Sequence, residues 1–160
     1  MTTLSGVVTR PFEDGDESAV AALWREVFPD DPPWNEPSLV MEKKRAVQRE
    51  LLFVALLEDE LVGTAMGGYD GHRGWVYAVA VKASHRRRGV GAALMSRVES
   101  ALSDRGCLKL NLQVRSGNEA VVNFYGRLGY TVEQRTSMGK LLPPGSKFGA
   151  YPGRPGRRNR

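Results

Sequence analysis

Val79-Ala80-Val81-Lys82-Ala83-Ser84-His85-Arg86-Arg87-Arg88-Gly89-Val90-Gly91-Ala92-Ala93-Leu94 runs from an apolar strand, through three consecutive arginines, into an amphipathic helix opened by two glycines. A helix start presents backbone N–H groups without intrahelical partners and the positive end of the dipole, which suits an anion. Glycine lets a ligand approach the backbone with no Cβ in the way. Arginine adds donors matched in geometry to phosphate oxygens. The stretch predicts a ligand that carries phosphates.

Two familiar phosphate loops are excluded. A P-loop needs a lysine followed by serine or threonine after its glycines, and none stands here. The dinucleotide fingerprint needs glycine at position 94, where Leu94 instead belongs to the apolar stripe of the helix. What remains is R-x-x-G-x-G, carried by Arg86, Gly89 and Gly91. A second block follows downstream, Asn118-Glu119-Ala120-Val121-Val122-Asn123-Phe124-Tyr125-Gly126-Arg127-Leu128-Gly129-Tyr130. In it Asn118 is a sound N-cap, Val121, Phe124, Tyr125 and Leu128 share one helical face, and Gly129 ends the helix.

The two blocks, in this order with one strand between their helices, resemble the pyrophosphate motif and the later N-x-x-A-x-x-F-Y-x-x-x-G-Y motif of the GNAT N-acetyltransferases. The resemblance covers roughly residues 7–142. It is closest to the YpeA-like subgroup, through Pro33-Trp34-Asn35 and Gly67-Gly68-Tyr69-Asp70-Gly71-His72-Arg73-Gly74.

Composition fits one domain. A chain of 160 residues with 41% apolar content can bury a single good core. No apolar run is long enough for a transmembrane helix, and Met1–Ser5 lacks the basic and apolar regions of a signal peptide. Cys107 is the sole cysteine, which excludes an internal disulfide, fits a cytoplasmic setting, and reads as a small hydrophobe at a strand start. The net charge of +5 lies entirely in residues 143–160, through Lys147, Arg154, Arg157, Arg158 and Arg160. The remaining residues balance 18 basic against 18 acidic side chains. Because the tail also holds four of the nine prolines, it reads as a disordered, solvated appendage to a domain spanning 1–142. The neutral body argues against a nucleic-acid partner, leaving only the tail to support an RNA-associated role.

Hydrophobic periodicity places the elements. A strand is expected at Val7–Arg10, an amphipathic helix from Asp14 to Phe28 stopped by Pro29, and a proline-rich loop over Asp30–Pro37. A charged helix follows over Ser38–Glu50, then strands at Leu51–Leu57, Leu61–Tyr69 and Trp75–Val81, the last two joined by the tip Asp70–Gly74. Val90, Leu94, Val98 and Leu102 align on a third helix. Leu108, Leu110, Leu112 and Val114 alternate with polar residues as a half-buried strand. A fourth helix runs from Asn118 to Leu128, and Tyr130–Met138 reads as a last strand. The resemblance implies an α/β fold of the GNAT type. Its central sheet is mixed and mostly antiparallel, with about six strands flanked by about four helices, splayed between strands four and five.

The resemblance also implies acetyl-CoA as cofactor, an amine-bearing acceptor and direct attack in a ternary complex. It implies no metal and no membrane, and it leaves a homodimer open. Backbone groups of Val79, Ala80 and Val81 would pair with the pantetheine arm, and an N–H there would support the developing oxyanion. Arg86, Arg87, Arg88, Gly89, Val90, Gly91 and Ala92 would hold the pyrophosphate, and Asn118 would bond further along the cofactor. Tyr125 would sit near the sulfur as general acid.

The base is less legible. Where relatives carry a glutamate on strand four or five, this chain has Trp75-Val76-Tyr77-Ala78 and Gln113. Asp70 and His72 at the hairpin tip are the nearest ionisable candidates, although Asp-Gly is also a favoured turn and a tip histidine is commonly just exposed. Trp34 either walls the acceptor site or covers the core. A non-catalytic acetyl-CoA sensor is the alternative to an enzyme, and the retained Tyr125 weighs against it.

Overall fold

The computed structural model describes residues 6–143. Within them lie strands β1 (Val7–Pro11), β2 (Leu52–Leu57), β3 (Glu60–Tyr69), β4 (Gly74–Val81) and β5 (Leu110–Asn111), and helices α1 (Glu17–Val27), α2 (Pro37–Ala46), α3 (Val90–Ser103) and α4 (Glu119–Arg127). They form one sheet in the order β1-β2-β3-β4-β5, antiparallel up to β4, with β5 parallel to β4. Among the described residues no helix is long and apolar enough to cross a membrane.

Both faces of the sheet are covered, so β2 is buried along most of its length. Leu52 and Val54 pack with Val20, Leu23 and Trp24 of α1 and Met41 of α2. Phe53 and Ala55 turn to the opposite face, which Leu94, Met95, Val98 and Leu102 of α3 and Tyr125 of α4 help to fill. On β3, Gly63 and Gly67 provide the clearance for α3. A Cβ at Gly63 would stand 2.9 Å from both Leu94 Cδ1 and Val90 Cγ1, and one at Gly67 3.2 Å from Val98 Cγ1. The glycines thus seat the N-terminal turn of α3 beside the end of β4.

Several boundaries differ from the sequence reading. α1 starts at Glu17 because Asp14–Asp16 forms a 3-10 turn in which Asp16 accepts two bonds from Arg10, at 2.7 and 2.9 Å. α2 stops at Ala46 rather than Glu50, since Val47 is extended and Gln48 is left-handed. The Gln48 amide then bonds both the N–H and the carbonyl of Tyr69, tying this corner to the end of β3.

The larger correction concerns the far edge. β5 pairs with β4 only at Gly74↔Leu110 and Trp75↔Asn111. No strand forms over 130–143, so the described sheet has five strands where about six were expected. Residues 109–113 and 133–137 run side by side through side chains, Lys109 with Glu133 at 2.7 Å and Gln113 with Ser137 at 2.6 Å, without a backbone ladder. With no partner strand to lie against, Leu108 is 99% exposed instead of half-buried. Cys107 is partly exposed, its thiol beside the Lys109 carbonyl. The basic, proline-rich tail lies outside the described residues beyond Pro143.

The close seat of α3 gives a stability prediction. Gly63→Ala forces Leu94, Val90 or the Ala80 carbonyl, itself 3.0 Å from the added Cβ, to move. Overpacking of this kind costs about 1–3 kcal/mol, to be read as a lowered midpoint in urea unfolding with an unchanged slope.

Candidate active site

The site begins where the two parallel strands part. After Trp75↔Asn111, β4 continues to Val81 while residues 112–115 diverge from it, opening a cleft of about 1330 Å³. Val79 and Val81 line one wall, and Leu112, Gln113 and Val114 the other. β4 is irregular at this point. Thr64 pairs with Ala80 and Met66 with Tyr77, so β4 spends one residue more than β3, and Ala78 takes φ +49°. Such a bulge lifts backbone groups out of the ladder beside the gap.

The arginine-glycine turn closes one end of the cleft. Arg87 and Gly89 are both left-handed, at φ +63° and +79°. Gly89 is the N-cap of α3 and no side chain caps it. The leading amides of this 14-residue helix therefore have no capping side chain, an arrangement suited to an anion. Arg86, Arg87 and Arg88 are exposed and make no ion pair among the described residues. Arg10, Arg25, Arg45, Arg49, Arg105 and Arg115, by contrast, all pair with carboxylates. Arg86, Arg87, Gly89, Val90, Gly91 and Ala92 line the cleft and Arg88 does not. The turn is tethered from behind by Lys82 and His85, which reach Glu60, His85 at 3.7 Å.

The two motif glycines have different local reasons. Gly89 needs its positive φ and has open space around it. Gly91 is tightly packed, for a Cβ there would lie 2.9 Å from Phe124 Cζ. The clearance expected for a ligand at Gly91 is thus also clearance for α4.

Through this contact the second motif reaches the cleft. Asn118 caps α4, its side chain accepting from the Val121 N–H at 3.4 Å, and it lines the cleft as well. Tyr125 lines the cleft yet is only 8% exposed, packed edge-on against Phe124 and Tyr130 with ring centroids at 5.0 and 5.8 Å. Burial lifts its phenol to about 12. The group is neutral at any physiological pH and so keeps a proton it can donate in a hydrogen bond.

The other end of the cleft is built from residues that no motif marked. Trp24, Phe28, Asp30, Asp31, Met66 and Tyr77 line it, with Arg115 opposite. Asp31 and Arg115 are joined at 2.7 Å, linking the proline-rich loop to the segment after β5. Glu36, also in the lining, accepts from the Leu39 N–H and pairs with Arg25. An acid beside prolines and an arginine 84 residues later carry no local pattern that pairs them.

The remaining sequence candidates separate. Gln113 is in the cleft and donates to Ser137. Ala80 turns its side chain into the core, leaving only its backbone for a ligand. Trp34 is 41% exposed in the loop and is not part of the lining. Asp70 and His72 do not line the cleft either. The Asp70 carboxylate accepts from the Arg73 and His72 N–H groups, which holds it below the usual carboxylate range and makes it a weaker base. Its charge does reach Tyr77, whose phenol is pushed up mainly by burial and further by Asp70.

Comparison with known proteins gives a consistent result. The model of the acetyltransferase (GNAT) family matches residues 18–130. A Yersinia pestis protein named acetyltransferase is 42% identical over 135 residues, covering 83% of this chain and 94% of the relative. The crystal structure of Ard1 from Thermoplasma volcanium superposes with a TM-score of 0.72 at 24% identity, over 80% of this chain and 84% of that one. An aminoglycoside N-acetyltransferase, AAC(6')-Iy in complex with CoA, gives a TM-score of 0.69 at 17% identity, over 84% and 94% of the two chains. At these identities the two structures speak for the fold.

The packing at Gly91 gives a test of the site's construction. Gly91→Ala is expected to lower the melting temperature, and Phe124→Leu in the same chain to recover part of that loss, because the ring is what the methyl meets. A double-mutant cycle on thermal unfolding reads the coupling, expected at about 0.5–3 kcal/mol for residues in contact.

Proposed function

Because the chain belongs to the acetyltransferase (GNAT) family and is an N-acetyltransferase that uses acetyl-CoA, we propose that it passes the acetyl group to a primary amine by direct attack in a ternary complex. The acceptor class is a small molecule or a peptide or protein N-terminus. The observation that carries this reading is the cleft between β4 and β5, with uncapped α3 amides at one end and the bulged backbone of β4 along its wall.

Acetyl-CoA supplies an activated thioester, and the chain's residues bind and orient it. The leading amides of α3, with Arg86 and Arg87, hold the pyrophosphate, and Arg88 contributes charge from outside the lining. The free backbone edge of Val79–Val81 pairs with the pantetheine arm as an added strand. Asn118 serves both as helix cap and as a contact to the cofactor.

Tyr125 donates a hydrogen bond to the departing sulfur. A thiol of pKa ~8.5 is a stronger acid than this phenol, so full proton transfer is uphill by about 3–4 units, roughly 5 kcal/mol. Donation without transfer stabilises the leaving thiolate at no such cost. On the acceptor side, Asp31 is engaged by Arg115, and Glu36 by Arg25 and the Leu39 N–H. Proton removal from the amine falls to Asp30 or to water entering the open cleft.

Residues 143–160 are read as an appendage to this domain. A chain ending at Leu142 keeps its melting temperature and its CoA affinity, measured by calorimetry, whereas a large loss in either shows that the tail docks.

The reading is tested by titrating CoA and acetyl-CoA into the protein and by screening amines for release of free thiol. Binding together with thiol release by a defined class of amine supports it. Binding without turnover for any amine favours a sensor, and absence of binding overturns it. With an acceptor in hand, Tyr125→Phe is expected to lower kcat roughly ten- to hundredfold, as for a hydrogen bond to a charged group. Its CoA affinity stays within a few-fold, since the ring and its packing persist.

A further inference from the structure

Thr64 is the single buried polar side chain among the described residues, with 0% exposure. On the face of β3 that meets α1, a hydroxyl costs free energy unless it is bonded, and an apolar side chain would pack with no such cost. Its hydroxyl is fully used. It accepts from Trp24 Nε1 at 2.8 Å and donates to the Ala78 carbonyl at 2.9 Å. Trp24 is itself 5% exposed and its bond to the hydroxyl is buried, while the Ala78 carbonyl at the far end of the chain is only part-buried, beside the cleft.

The far end of that chain is the bulge. Ala78 sits at φ +49°, where a residue with a Cβ is strained by about 1–2 kcal/mol. Strain of this kind persists only where the surroundings hold it, and here the Thr64 hydroxyl grips the carbonyl of the strained residue itself. Among the described residues no peptide bond is cis, so the N–H of the same peptide plane, that of Val79, points opposite to the Ala78 carbonyl. The carbonyl is drawn toward β3, and the N–H therefore faces away from β3, toward the gap before β5.

We propose that Thr64, held by Trp24, is a positioning residue that fixes the Ala78–Val79 peptide so that the Val79 N–H meets the acetyl carbonyl. This rests on the cofactor placement in the preceding section. It adds two residues to the reaction that touch neither cofactor nor acceptor through their hydrogen-bonding groups and act through one peptide plane. An oxyanion donor must be in place before charge develops, and a peptide locked at both a strained φ and a buried hydroxyl meets that requirement.

The test uses the full chain with CoA and with acetyl-CoA labelled with ¹³C at the carbonyl. In the unaltered protein the bound carbonyl resonance is expected to move downfield from its free position, as it does when it accepts a hydrogen bond. Thr64→Val keeps the shape and removes the hydroxyl. The shift is expected to fall back toward the free value and acetyl-CoA affinity to drop about tenfold, while CoA affinity stays within about twofold. Thr64→Ser restores both, which a role in packing alone would not produce.

Should Thr64→Val fail to melt cooperatively, Trp24→Phe decides the matter, because it keeps the Thr64 hydroxyl and its bond to Ala78 while removing the indole donor together with part of the ring's volume. A smaller change in the same direction supports the proposal, and an unchanged carbonyl shift overturns it. Thr64→Val with unaltered shift and affinities likewise overturns the positioning role while leaving the cofactor placement standing. An unaltered protein that binds neither ligand overturns both.

Discussion

β4 pairs with β3 from end to end save at the bulge over Ala78 and Val79, but with β5 over only two residue pairs, and the cleft follows from that imbalance. A parallel pair that stayed together would bury the backbone edge of Val79–Val81 in a ladder. By parting, the strands leave an unpaired edge inside a protein that is otherwise well covered, and the resulting gap is where an extended ligand can complete the sheet. The elements on either side keep the gap open. α3 is seated on Gly63 and Gly67, α4 is wedged against Gly91 through Phe124, and Arg115 ties the wall after β5 to the proline-rich loop at Asp31.

Much of this was legible in the sequence, for identifiable reasons. The arginine-glycine turn and the helix after it are local, so their spacing alone predicts an anion site, and the structure places Arg86, Arg87, Gly89 and Gly91 along the cleft. Asn118 and Tyr125 were legible because a cap and a helical face are local patterns as well. The strands β1 to β4 follow alternation and turn chemistry closely.

What was not legible depends on contacts between distant segments. Alternation in Leu108–Val114 predicts a full strand, but a strand needs a partner, and only Leu110 and Asn111 have one. Tyr130–Met138 has strand-like residues and no ladder. The cleft lining also draws on Trp24, Asp31, Tyr77 and Arg115, which only the fold brings together. Gln48 in a left-handed conformation, ending α2 early, is held by its two bonds to the distant Tyr69 as well as by the local bond from the Leu51 N–H to its carbonyl. The hairpin tip misled in the opposite way, since Asp70 spends its carboxylate on the turn itself.

A grip composed mainly of backbone amides has a consequence for how such a protein diverges. Substitution changes side chains and leaves the main chain's hydrogen-bonding groups in place wherever the fold is kept. The end of the cleft at the α3 amides is therefore insulated from most mutation, while the end around Asp31, Tyr77 and Arg115 consists of side chains that can be exchanged one by one. Drift can reshape the second end without the first having to be reinvented. The fold shared with AAC(6')-Iy at 17% identity shows how far side chains can be exchanged while the main chain keeps its course.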